Sequence, residues 1–142
     1  MPKKSLNRET KFPKMALVVH SDVGVLSNLQ SSLSERGYTP IIARDLPTAL
    51  LAITQHYFDL AIVSSRLREG GDGWPLAGVL HLVFPRAFVS VLAPTEDVLT
   101  LQSAINYGVK EVYKESSPAT DVVRAILAEV AQSSAKEKPR LQ

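Results

Sequence analysis

The chain has 142 residues, the usual length of a single domain, and 45% of them are hydrophobic, so an ordinary apolar core is expected. It contains no cysteine, which excludes disulfide frameworks, thiol nucleophiles and cysteine-ligated metal sites. The net charge of +2 comes from the two ends, because residues 15–132 carry 8 basic and 12 acidic side chains. We therefore predict a basic flexible tail over residues 1–14, a domain over 15–132 and a flexible polar tail over 133–142.

The apolar segments are too short for a signal peptide or a membrane span. The early run "MALVV" is shorter than the apolar region of a signal peptide, and Pro85 divides the longest apolar region, 75–94, into two short halves. The tails lack interleaved aromatic residues and amphipathic spacing. We therefore expect a soluble cytoplasmic protein with no nucleic-acid partner and no membrane partner.

Two hydrophobic periodicities alternate along the chain. Continuous apolar runs predict buried strands over 15–19, 60–64 and 87–93. A short strand with a proline near its start is predicted over 39–43, and a shorter, more polar strand over 109–113. Helical spacing predicts helices that begin after Asp22, after Asp45, at Trp74-Pro75, at Thr95 and at Ser117-Pro118. This alternation predicts an α/β domain, a doubly wound parallel sheet with strand order 2-1-3-4-5 and helices on both faces.

The helical spacing also predicts which side chains each helix buries. For the second helix we expect Leu46, Leu50, Ile53 and Tyr57 to face the sheet. For the fourth helix we expect Val98, Leu101, Ala104 and Ile105 to do so. The glycine-rich stretch "REGGDG" before the third helix lacks the ending of a phosphate-binding loop and is interpreted as a flexible turn. Trp74 is expected to pack at the start of that helix.

In a sheet of this kind, ligands bind outside the carboxyl ends of the strands. The stretches at those ends resemble the receiver domain of bacterial two-component response regulators, from about Met15 to Val130. The resemblance rests on "ALVVHSD", "FDLAIVSS", the pair Asp72-Gly73 and "SAINYGVKEVYKES". It implies the flavodoxin-like (βα)5 fold and a role in phosphorelay signal transduction.

The residues that carry phosphotransfer in that family are replaced here, so the resemblance is to a degenerate receiver, or pseudo-receiver. The family's acidic pair falls on His20 and Ser21, its phosphate-accepting aspartate on Ser64, its hydroxyl residue on Ala93, its lysine on Glu115 and its aromatic switch on Val112. An aspartyl phosphate needs a carboxylate nucleophile and a divalent cation with hard oxygen ligands. Asp22 is expected to cap a helix instead. We therefore predict a degenerate phosphoacceptor pocket with no catalytic residue, no bound magnesium and no other cofactor.

The sequence thus favours a signalling and protein-interaction module that is independent of phosphorylation and is not an enzyme. One alternative is an atypical but functional phosphorelay receiver, and another is a small-ligand-binding α/β domain that uses the open strand ends. Phosphorylation of Ser64 by a serine kinase is a further, weaker alternative, because a serine at a strand end is usually a satisfied polar group.

In the family, the surface formed by the fourth helix, the fifth strand and the fifth helix carries the signal to a partner. We predict that this surface binds another signalling protein or a second copy, as a homodimer, at all times. The residues proposed for it are Asn106, Tyr107, Lys110, Tyr113 and Arg124. The alternative is that these are ordinary solvated side chains, in which case helix one is the next candidate surface.

Overall fold

The computed structural model describes residues 13–137 of the chain, and the side chains of residues 13–133. Its five strands are β1 (Lys14–Val19), β2 (Tyr38–Ala43), β3 (Leu60–Ser64), β4 (Phe88–Ala93) and β5 (Glu111–Lys114). Its five helices are α1 (Val23–Glu35), α2 (Leu46–Gln55), α3 (Gly73–Val83), α4 (Val98–Tyr107) and α5 (Ala119–Glu137). The five strands are parallel in the order β2-β1-β3-β4-β5, which confirms the predicted flavodoxin-like (βα)5 fold.

The sheet separates two apolar clusters because side chains alternate between its faces along each strand. The helices α2, α3 and α4 cover one face, where Leu17, Val63 and Val91 point. The helices α1 and α5 cover the other, where Val18 and Ile62 point. All five residues of β3 are buried, as expected for the central strand of a sheet covered on both sides.

Four helices begin at an aspartate whose carboxylate accepts a hydrogen bond from a backbone N–H in the first turn. The capping residues are Asp22, Asp45, Asp72 and Asp97. The predictions for Asp22 and Asp45 are confirmed. The prediction that a helix begins at Thr95 is wrong, because Asp97 takes the capping position and α4 starts at Val98.

Both predicted domain boundaries differ from the structure by a few residues. Lys14 was assigned to the N-terminal tail, but it is the first residue of β1 and pairs with Tyr38 of β2. The C-terminal tail was predicted from residue 133, but α5 continues to Glu137, because Ala, Lys and Glu extend an existing helix at little cost. The remaining tail residues, 1–12 and 138–142, lie outside the described residues.

The helix faces predicted for α2 and α4 are confirmed only in part. Leu46 and Ile53 pack against the apolar cluster as predicted, whereas Tyr57 lies beyond the end of α2 and is 70% exposed. The side chains that α2 buries fully are Ala49 and Ala52, while Leu50 is exposed. In α4 the fully buried side chain is Ala104, and Val98 and Ile105 are each 78% exposed. Alanine lets a helix lie close to the sheet, and the larger apolar side chains then point outward. None of the helices in the described part of the chain is long and apolar enough to cross a bilayer.

Candidate functional site at the carboxyl ends of the strands

The carboxyl ends of β1, β3, β4 and β5 meet at one edge of the sheet. The register places Val19 beside Val63, and Ser64 beside Leu92. The backbone N–H of Glu115 donates to the carbonyl of Ala93 at 2.8 Å, which fixes the end of β5 against β4. The structure therefore brings the predicted pocket positions to one edge of the sheet.

Ser64 is enclosed by the segment that follows it. The residue is 1% exposed, and its Oγ donates to the carbonyl of Arg66 at 2.8 Å and accepts from the Arg66 N–H at 3.3 Å. Its hydroxyl group is therefore buried and already hydrogen-bonded in both directions. This geometry disfavours attack on it by a kinase or a phosphoryl donor.

The glycine-rich stretch forms the turn and the second strand of a small hairpin, in agreement with its interpretation as a turn. Residues 66–67 pair in antiparallel fashion with residues 71–72. Glu69 and Gly70 make the turn with φ angles of 58° and 77°. The hairpin leads into α3 at Gly73, where an added Cβ would lie 1.9 Å from the carbonyl oxygen of Ser64. Glycine is thus required to bring the start of α3 against the end of β3.

An ion pair at the edge of this pocket places a negative charge where the family has a lysine. Glu115, at the position of the family's lysine, accepts a hydrogen bond from the guanidinium of Arg66 at 2.5 Å. The carboxylate thus has a cation supplied by the same chain. A phosphoryl group approaching Ser64 would meet this carboxylate in place of the lysine that the receiver mechanism uses.

The positions of the acidic pair are held in local hydrogen bonds. Nδ1 of His20 accepts from the Asp22 N–H at 3.0 Å, and Oγ of Ser21 accepts from the Arg68 N–H at 2.9 Å. Burial lowers the pKa of His20 from its ordinary value of 6.5, although the carboxylates of Asp22 and Glu115 partly oppose the shift. The lowered pKa and the accepting Nδ1 both describe a neutral imidazole at neutral pH.

The donor groups at this edge do not fit magnesium, the cation that the receiver mechanism requires. Magnesium prefers carboxylate oxygens. One carboxylate oxygen of Asp22 accepts the Val25 N–H at the start of α1, and Glu115 is paired with Arg66. Among the described residues, no three His, Asp or Glu side chains are grouped closely enough to hold a metal ion.

The two positions of the family's switch carry only hydrocarbon side chains. Ala93 and Val112 are both buried in the apolar cluster beneath α2, α3 and α4. Neither side chain can donate or accept a hydrogen bond. A signal at Ser64 would therefore find no polar group to move at these positions.

The residues predicted for the partner surface differ in exposure. Asn106, Lys110 and Arg124 are exposed, and Tyr113 is half-buried against the cluster beneath α1 and α5. Tyr107 is 36% exposed, and its ring stacks on Trp74 with centroids 6.3 Å apart. That contact turns Tyr107 toward α3. The ring passes over Gly78 of α3, where an added Cβ would lie 2.8 Å from it.

Tyr113 and Arg124, two residues of the predicted partner surface, differ in charge. Burial, together with the carboxylates of Glu111 and Glu129, raises the pKa of Tyr113 to about 12. Its phenol therefore keeps its proton at neutral pH and remains a hydrogen-bond donor. Arg124 forms an exposed ion pair with Asp121 on the same helix at 3.2 Å, a contact too solvated to restrain it strongly.

Neither of the two cavities described here lies directly at the carboxyl ends of β1 and β3, where a ligand of this fold would bind. A cavity of about 740 Å³ lies at the opposite edge of the sheet, beside Met15, Tyr57 and Asp59. The cavity that touches Glu115 measures about 240 Å³ and lies between α1 and the start of α5.

Arg66 is a residue of the candidate site that the sequence did not predict. It follows Ser64 by two residues, and its partner Glu115 is 49 residues further along the chain. The available signal was the negative charge at position 115, since a partly buried carboxylate at a strand end favours a cation nearby.

The fold is that of response regulator receiver domains. A receiver domain protein of the CheY-like type from Methanospirillum hungatei superposes with a TM-score of 0.77 at 19% identity, covering 87% of this chain and 98% of its own. The signal receiver domain of an HD domain-containing protein from Pseudomonas fluorescens gives a TM-score of 0.73 at 27% identity, covering 91% and 94%.

A third similar structure is a response regulator from Burkholderia pseudomallei with a phosphorylated aspartic acid, a calcium ion and citrate. Its TM-score is 0.73 at 21% identity, covering 91% of this chain and 75% of its own. No protein-family model matches the sequence. No curated protein matches it either.

Proposed function

We propose that this chain is a non-enzymatic signalling module that binds a protein partner and is not controlled by phosphorylation. The observation that carries the proposal is the ion pair between Arg66 and Glu115 beside the buried hydroxyl of Ser64. Ser64 stands at the position of the family's phosphate-accepting aspartate, and Glu115 at the position of its lysine. This arrangement supports a pocket that neither holds magnesium nor accepts a phosphoryl group.

The absence of a switch implies that partner binding is constitutive. A phosphate-biased equilibrium between two conformations needs a group that interacts differently with each of them. Ala93 and Val112 offer no such group. The proposal therefore expects the protein to capture the same partner, in the same amount, with and without acetyl phosphate and magnesium.

The proposed partner surface comprises Asn106 at the end of α4, Lys110 and Tyr113 of the β5 segment, and Arg124 of α5. Tyrosine and arginine contribute strongly to interfaces through contact area and directional hydrogen bonds. The proposed partner is another signalling protein in the cytoplasm, with no role for nucleic acid or a membrane.

The experiment is capture of partners from an extract of the native cell with the tagged full chain, repeated with acetyl phosphate and magnesium. The double variant Tyr113→Ala, Arg124→Ala should lose the captured partner and keep its melting temperature. Arg86→Ala, an exposed arginine in the loop before β4, is the matched control and should capture normally. Capture that depends on acetyl phosphate would contradict the proposal, and undiminished capture by the double variant would exclude this surface.

A further inference from the structure

The three helices on one face of the sheet contain no charged residue. Their sequences are "LPTALLAITQ" for α2, "GWPLAGVLHLV" for α3 and "VLTLQSAINY" for α4. The helix α5 on the other face carries Asp121, Arg124 and Glu129 in its first three turns. Helices that face water on one side normally place charged residues there. The outward sides of α2, α3 and α4 therefore lack the usual character of a solvated surface.

The same three helices expose large apolar side chains. Nine of them, with exposures between 37% and 78%, are Leu50, Leu51, Val79, Leu82, Val83, Val98, Leu99, Leu101 and Ile105. We call this set the uncharged face. Among the described side chains of α1 and α5, by contrast, only Val23 is both large, apolar and exposed. The side of the molecule formed by α2, α3 and α4 is therefore apolar and uncharged, whereas the side formed by α1 and α5 is polar.

The uncharged face is continuous because α3 contacts both α2 and α4. An aliphatic side chain of this size offers roughly 100 Å² of apolar surface when fully exposed. Nine side chains at their observed exposure therefore present about 500 Å². This is near the upper end of the apolar patches, of about 300 to 600 Å², that monomeric proteins expose.

The apolar area of the uncharged face and its lack of charge together indicate what covers it. A stable interface takes about 800 Å² from each partner, and about two thirds of a homodimer interface is apolar. The uncharged face supplies about that apolar area. In a two-fold symmetric dimer the same patch meets itself, so a charge near the symmetry axis would meet its own sign, and a charge elsewhere would need an opposite partner on the same patch. A face without charge avoids that repulsion and offers nothing to a strongly charged partner.

We infer that a second copy of this chain covers the uncharged face, forming a symmetric dimer through α2, α3 and α4. This dimer goes beyond the proposed function. None of its nine side chains belongs to the proposed partner surface, which meets the uncharged face only at Asn106, at the end of α4. The signalling partner would then bind each copy on its free β5 and α5 side.

The test is the mass of the full chain in solution, measured by sedimentation equilibrium across micromolar concentrations. We expect the wild-type chain to be a dimer. The double variant Leu82→Asp, Ile105→Asp places two charges on the uncharged face and should weaken dimerisation by at least about 100-fold. Both side chains are more than three-quarters exposed, so the fold should tolerate the change. The milder pair Leu82→Ser, Ile105→Ser provides the same test without adding charge.

Two controls locate the contact. Val23→Asp introduces the same charge on the exposed start of α1 and should leave the dimer intact. The pair Tyr113→Ala, Arg124→Ala should also leave it intact, so failure of the proposed function and failure of the dimer give different results. A wild-type chain that remains monomeric throughout this concentration range would overturn the inference. A dimer that survives in both Leu82 and Ile105 variants would overturn it as well.

Discussion

The ion pair between Arg66 and Glu115 should be measurable but weak. In water, two unit charges 2.5 Å apart attract with about 1.7 kcal/mol. The Arg66 side chain is 69% exposed and that of Glu115 is 26% exposed, so solvent screens the attraction and both side chains lose freedom on pairing. We therefore expect a coupling free energy of about 0.5 to 1 kcal/mol. Substituting Glu115→Lys should turn this attraction into a repulsion of similar size.

A double-mutant cycle measures the coupling directly. The four proteins are the wild type, Arg66→Gln, Glu115→Gln and the double variant, and the free energy of unfolding of each is obtained from urea denaturation. At about 1 M salt the screening length falls to roughly 3 Å, so the coupling should shrink. A coupling indistinguishable from zero at low salt, or one that salt leaves unchanged, would refute the assignment of this pair as a solvent-screened contact.

Three further predictions test the geometry around the pocket. Gly73→Ala should lower the free energy of unfolding by more than about 3 kcal/mol, because the added Cβ would overlap the carbonyl oxygen of Ser64. The control Gly24→Ala, in the first turn of α1, should change the free energy of unfolding by less than about 1 kcal/mol, and equal effects of the two substitutions would contradict the prediction. The pKa of His20 is lower in the folded protein than its ordinary value of 6.5, so as the pH falls the unfolded chain takes up the proton before the folded protein does. The stability that the neutral imidazole contributes is therefore complete above pH 6.5 and is lost as the pH falls through the folded pKa. His20→Asn, whose amide oxygen can replace Nδ1, should therefore lose less stability than the wild type between pH 7.5 and pH 5.5, and an identical loss would exclude His20 as the cause. Ser64→Asp should not restore phosphorylation by acetyl phosphate, as read by intact mass, because Glu115 and the missing acidic pair remain; a phosphorylated variant would show that the acceptor alone was lacking.

Local signals in the sequence predicted most of the fold. Apolar runs mark β1, β3 and β4, the shorter segments 39–43 and 109–113 mark β2 and β5, and the capping aspartates Asp22 and Asp45 mark two helix starts to the residue. These features depend on neighbouring residues only, so a single sequence contains them. The helix faces depend instead on how closely each helix lies on the sheet. Ala49 is buried and Leu50 is exposed because the small alanine lets α2 lie close to the sheet.

The site was predictable where a position follows from strand order, and not where it depends on a distant contact. Ser64 and Glu115 were placed by their motifs, and both lie at the predicted edge of the sheet. The pairing of Arg66 with Glu115 joins residues 49 apart through a hairpin that the sequence indicated only as a loop. The three uncharged helices can be read in the sequence, but their meaning requires knowing which side chains are exposed.

The most direct test of the central claim is the intact mass of the full chain after incubation with acetyl phosphate and magnesium. A receiver domain with an intact aspartate, treated in parallel, shows that the donor and the metal are active. The account predicts that this chain gains no phosphoryl group while the parallel sample does, because Ser64 is buried and hydrogen-bonded and Glu115 faces the pocket as a carboxylate. A gain of one acid-labile phosphoryl group by the wild-type chain would contradict it.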